Sequence, residues 1–264
     1  MRSKLKQKFI SSAAILGVSL IQAGAPVAIQ AANPASQVQV YRDDSRKELL
    51  FRIENQIQKT GEGGEVLRRN TFGTEASLPP GADLKKPAVS EAFYRRNGEV
   101  LRFEEEFPHE NEKGSAELRG DKIIASHSKN GKVRTEEMEH EPGLVFGGQV
   151  AELFLEKMSR LLQGEKIKFR IFVIERLETF GFEARLKKKE GDELQVEMKP
   201  SSFVISAFVS PIIFTYRVGP KALNSSEKVG NVTEYSLLHV KGSLKARIWR
   251  DGSWHRATGF TLIH

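Results

Sequence analysis

The sequence predicts a mainly β protein: a curved antiparallel sheet or partly closed barrel, with one α-helix at about 148–163 packed on its apolar face. Three observations carry this expectation. Apolar and polar residues alternate with period two over most of the chain from Gln37 onward. Asn-Gly and Asp-Gly dipeptides fall between the alternating runs, where a hairpin needs residues that accept positive φ. A single stretch switches from period two to helical spacing.

Arg2, Lys4, Lys6 and Lys8 precede a mostly apolar run, Phe9 to Ile21, and small residues dominate from there to Ala32. Those 13 residues are too few to span a bilayer, which takes about 20 in a helix. A charged start, a short apolar middle and a small-residue exit are the parts of a cleavable signal peptide. The expectation is therefore a signal peptide over 1–32, a β-rich domain over 33–264, a periplasmic or secreted location, and no transmembrane segment after cleavage.

Within the β-rich region, Phe93–Arg96 and Val100–Phe103 flank Asn97-Gly98. Ile123–His127 and Lys132–Glu139 flank Asn130-Gly131, and Leu244–Trp249 and Trp254 flank Asp251-Gly252. Type I′ turns are the natural joints there. Ile167, Phe169, Ile171 and Val173 share one strand face, with Lys166, Lys168 and Arg170 on the other. Phe182, Ala184 and Leu186 form a second such face, and Leu194, Val196 and Met198 a third, the last two runs joined across Lys189–Asp192. Between Gly147-Gly148 and Gly164, Val150, Phe154, Met158 and Leu161 recur at spacings of four, four and three, which sets the helix. Leu78-Pro79-Pro80-Gly81 reads as a surface loop, because proline lacks the donor a central strand needs.

Charge and motifs exclude more than they assign. The net charge is +7, but the four leader cations leave 37 basic against 34 acidic residues, interleaved rather than segregated. A nucleic-acid partner is not expected from that pattern. The absence of cysteine removes disulfides, thiolate catalysis and an N-terminal lipid anchor. None of the six histidines forms H-E-x-x-H or H-x-H, and G-x-S-x-G does not occur. Catalytic, cofactor-binding and metal residues are therefore not expected, and no cofactor. The acidic runs Glu136–Glu141 and Glu104–Glu106, the latter followed by Glu110 and Glu112, read as solvated edge strands.

One segment stands apart: Pro200 to Tyr216 holds no charge between Lys199 and Arg217. It suits either a buried turn or short helix entering a central strand, or the apolar lining of a ligand site, with Phe203, Val204, Phe208, Ile212 and Phe214 as the lining. This segment, the Phe182 hairpin, Leu161–Gly164 and the Leu49–Arg52 strand resemble an uncharacterised family of exported bacterial β-rich proteins. The resemblance implies the fold and the export but brings no activity. By fold analogy it also suggests the half-barrels of periplasmic lipoprotein carriers.

The leading expectation is a non-catalytic envelope protein that binds an apolar or amphiphilic, lipid-like ligand. The alternatives are a structural or protein-interaction module, with an envelope protein as partner at a sheet edge or at the Trp249/Trp254 hairpin, and a hydrolase without a recognisable motif.

Overall fold

A computed structural model describes residues 37–42, 48–59, 64–94, 100–141, 143–146, 149–206, 209–219, 235–242, 247–256 and 259–263. The leader, the Asn97-Gly98 turn and Gly147-Gly148 lie outside the described residues. As the alternation predicts, the fold is mainly β, a sheet curled into a half-barrel. Among the described residues, fifteen strands form one sheet, in the spatial order β8-β7-β6-β5-β4-β3-β2-β1-β17-β14-β13-β12-β11-β10-β9. Its N-terminal arm is β1 (Gln37–Arg42), β2 (Leu49–Lys59), β3 (Glu65–Gly73), β4 (Ala88–Tyr94), β5 (Val100–Phe107), β6 (Glu112–Arg119), β7 (Lys122–Lys129) and β8 (Lys132–Glu139). The C-terminal arm is β9 (Leu144–Phe146), β10 (Ile167–Val173), β11 (Glu178–Glu190), β12 (Glu193–Pro200), β13 (Ile212–Val218), β14 (Tyr235–Lys241) and β17 (Gly259–Ile263). Strands β15 (Arg247–Arg250) and β16 (Ser253–Arg256) form a separate hairpin.

Turn chemistry fixes the registers. Asn130 and Gly131 take φ of 50° and 77°, and Asp251 and Gly252 take 49° and 75°, positive at both central positions as type I′ demands. Two further hairpins close through Gly120-Asp121 and Gly191-Asp192, where only the glycine is positive, at 66° and 57°. That pattern suits a type II′ turn. The proline loop is tied down by Ser77, whose Oγ donates to the Leu50 carbonyl at 2.8 Å, and by buried Leu78. Across β15 and β16, Trp249 faces Trp254 edge to face with ring centroids 5.4 Å apart.

The predicted helix forms in two pieces, α1 (Val150–Glu156) and α2 (Met158–Leu162), with the break at Lys157. Its apolar stripe is buried as expected: Val150, Phe154, Met158 and Leu161 are all sealed. Gly164 stops it with φ of 84°, its N–H donating to Leu161 and that of Glu165 to Arg160, the two bonds of a Schellman motif. Phe154 meets Phe214 of β13 at 4.9 Å and Phe169 of β10 at 5.8 Å, so the helix sits on the concave face of the C-terminal arm.

The sheet does not simply close. Ile171 and Val173 point into the main core with the helix, while Phe172 and Ile174, on the opposite face, belong to a second core with Phe103, Ala116, Ile123 and Ala125. The inner face of β5–β7 therefore covers the outer face of β9–β10, and the sheet overlaps itself like a scroll. Phe146 marks the seam, 5.6 Å from Phe103 and 5.7 Å from Phe172.

Gly114 of β6 shows how close the layers lie: a Cβ there would stand 2.8 Å from Ile174 Cδ1. Replacing Gly114 by Ala is expected to cost about 1–3 kcal/mol through overpacking. Gly181→Ala meets only Ser201 at 3.5 Å and is the near-neutral control. Urea unfolding of the two variants checks the difference; equal stabilities would contradict the overlap.

Candidate functional site

The concave side of the N-terminal arm carries an unexpected polar row. Asn55, Arg69, Ser90, Glu105, Gly114, His127 and Arg134 lie directly opposite one another across β2 to β8. Directly opposed residues share a face, and Phe103, Ala116 and Ala125 one step along show that this is the core-facing one. Asn55, Arg69, Glu105 and His127 are buried, while Arg134 reaches the exposed edge.

The acidic run of β5 thus departs from its expected place. Glu104–Glu106 lies on an interior strand between β4 and β6, and Glu105 points inward in phase with Phe103. Glu112 is buried too. The Glu136–Glu141 run does begin on an edge strand, since β8 ends the sheet and is exposed along its length except at Met138.

His127 is fully committed within this row. Its Nδ1 lies 3.1 Å from Arg134 Nη2, and a guanidinium can only donate. The ring proton therefore sits on Nε2 and donates to Glu112 Oε1 at 3.0 Å, while Lys129 closes on Glu112 Oε2. A metal or a substrate proton could reach the imidazole only by breaking one of these bonds. Ser90 and His127 lie three strand spacings apart, about 14 Å, beyond any Ser–His couple. A Ser–His contact does occur at Ser253 Oγ and His255 Nε2, 2.9 Å apart. That Nε2 also meets the Arg250 carbonyl at 3.1 Å, an acceptor to which the ring must donate, so it is not poised to take the serine proton. Among the described residues, no group of three or more His, Asp or Glu side chains is placed to hold a metal ion.

At the other end of the row the sheet meets the helix. Arg69 Nε donates to Asn55 Oδ1 at 2.7 Å. Glu152, on α1, feels the charge of Arg69 and lies close enough to Tyr216 to influence its titration. The Glu152 residue keeps some exposed surface, yet its carboxyl Oε2 is sealed and has no hydrogen-bond partner among the described residues. Burial pushes the Glu152 carboxyl above the usual range, outweighing the attraction of Arg69. Burial, reinforced by Glu152, likewise pushes the Tyr216 phenol well up. Glu197 on β12 goes the other way: burial raises it, but hydrogen-bonded Arg185 and nearby Lys187 bring it below the usual range.

Of the residues expected to line a ligand site, Phe203 lies apart from Ile212 and Phe214. Phe203 opens a one-turn helix, α3 (Phe203–Ser206), and is 86% exposed. Ile212 and Phe214 are buried in the main core, Phe214 against Phe154. The side chain of Val204 and the whole of Phe208 lie outside the described set. Phase in the alternation signals the polar row: Glu105 keeps step with Phe103 and Phe107, and His127 with Ile123 and Ala125. Nothing in the sequence marks Glu152, because its approach to Arg69 depends on how the helix docks.

No family model matches the chain, and no curated protein matches it. Among solved structures it is similar to a β-barrel-like protein of a domain of unknown function, DUF1849, from Brucella abortus. The identity is 9% and the TM-score 0.37, over 88% of this chain and 99% of the other. No helix among the described residues is long and apolar enough to cross a membrane.

The raised Glu152 carboxyl makes stability depend on pH. At acid pH both folded and unfolded states hold the proton, so the group contributes nothing. As pH rises past the ordinary carboxylate value the unfolded chain releases its proton first, and stability falls until the folded-state pKa is passed. Glu152→Gln is expected to remove this decline, so the variant gains on the parent from mildly acidic toward neutral pH. Thermal melts across that range check it; parallel curves would contradict the buried ionisation.

Proposed function

We propose that the chain is an exported, non-catalytic protein of the cell envelope that binds an apolar or amphiphilic ligand inside the rolled sheet. The observation that carries the reading is Glu152 Oε2, a sealed oxygen without a donor beside an apolar wall. An unmet buried polar group costs about 1–3 kcal/mol, and native proteins keep few of them. Binding sites are mostly apolar surfaces with a few placed polar groups, and a headgroup hydroxyl or ammonium would satisfy this oxygen. The reading places the ligand beside α1, between β3 and β13, rather than along Phe203 to Phe214. The leader-like start supports export to the periplasm or beyond.

Chain purified natively after export is expected to yield an amphiphile on organic extraction and mass spectrometry. It should also bind an acyl-chain fluorophore that the extract displaces. Glu152→Leu is expected to weaken that binding about tenfold, the loss of one hydrogen bond to a charged group, and Glu152→Gln less. An empty extract together with no fluorophore binding would defeat the proposal.

A further inference from the structure

We propose that β8 is a dimerisation edge, pairing antiparallel with β8 of a second copy in one register centred on Thr135. This does not rest on the ligand reading. Among the described residues strand β8 has a single neighbour, β7, and Val133, with a large apolar side chain, is 65% exposed on it. The backbone phase follows from its partner: His140 N–H donates to the Asp121 carbonyl, so the even-numbered residues turn their backbone groups toward β7. Val133, Thr135, Glu137 and Glu139 then turn theirs outward, ready to extend the ladder.

Side-chain faces and charge select the register. Arg134, Glu136 and Met138 share the face of His127, Ala125 and Ile123, and the odd-numbered residues take the other. A continuous sheet can only oppose residues of the same face, so pairing must join even with even and odd with odd. Centred on Thr135, Arg134 opposes Glu136 of the second copy twice over, at the close non-hydrogen-bonded positions, and Val133 opposes Glu137. Two residues to one side, Arg134 would oppose its own symmetry mate; two to the other, Glu136 would. Parallel pairing would set the basic half, Lys132 and Arg134, against itself. Arg134 already donates through Nη2 to His127 and to the Glu175 carbonyl at 2.5 Å, and its other N–H groups can serve the pair.

Light scattering on the whole purified chain over a concentration series tests this. A concentration-dependent two-fold dimer is expected. Thr135→Pro removes an outward-facing donor that the β7 ladder does not use, so it should raise the dimer dissociation constant at least about tenfold with an unchanged circular-dichroism spectrum. Arg134→Glu and Glu136→Arg should each abolish self-association, and an equimolar mixture of the two should restore it, because every pair in the mixed dimer is again opposite in sign. A monomer at every attainable concentration overturns the proposal. So does a dimer indifferent to Thr135→Pro.

Discussion

The strip formed by β9 and β10 has apolar side chains on both faces, and the rest of the molecule is arranged to keep both dry. Ile171 and Val173 are sealed by the helix side, Phe146, Phe172 and Ile174 by the far arm of the same sheet. Burying each such side chain is worth about 1.5–3 kcal/mol, so leaving the outer set exposed would forfeit much of a typical stability margin. The N-terminal arm must therefore wrap until β5–β7 lie over β9–β10. The bare backbone of Gly114 under Ile174 follows from this requirement. So does the docking of the Glu175 carbonyl on Arg134.

That wrapping carries charged groups into the interior, and their treatment differs from one end of the row to the other. Near the seam, Glu112 is held by His127 and Lys129, so the energetic cost of removing a carboxylate from water is offset by bonds on both its oxygens. Beside the helix, Glu152 has the long-range attraction of Arg69 but leaves Oε2 unmet. One end is a finished internal network, and the other keeps a buried carboxyl oxygen without a hydrogen bond among the described residues.

Period two, turn dipeptides and the helical stripe were sufficient to read the sheet, its hairpins and the buried face of α1 and α2. They say which side of a strand is dry but not which strand it faces. Phe172 illustrates the limit: within the alternation of β10 it occupies the wet face, and only the overlap of distant strands dries it. Glu105 and Glu112 mislead for the same reason, since a cluster of carboxylates looks solvated until its phase with Phe103 and Ala116 is weighed. The uncharged Phe203–Phe214 run divides because its short helix lies at the end of β12 whereas Ile212 and Phe214 lie within β13, and hydrophobicity alone does not tell a rim from an interior.

A sheet that overlaps instead of closing keeps two edges, where a closed barrel has none. The β9 edge is blunted by its brevity, three residues against the eight of β8. Strand β8 is left with a long row of outward backbone groups and only charge to govern what they meet. Uniform charge would repel a second copy in every register. Charge divided into a basic first half and an acidic second half repels parallel neighbours and shifted registers while admitting one antiparallel arrangement. The edge created by the overlap is thus restricted by its sequence to a single kind of partner.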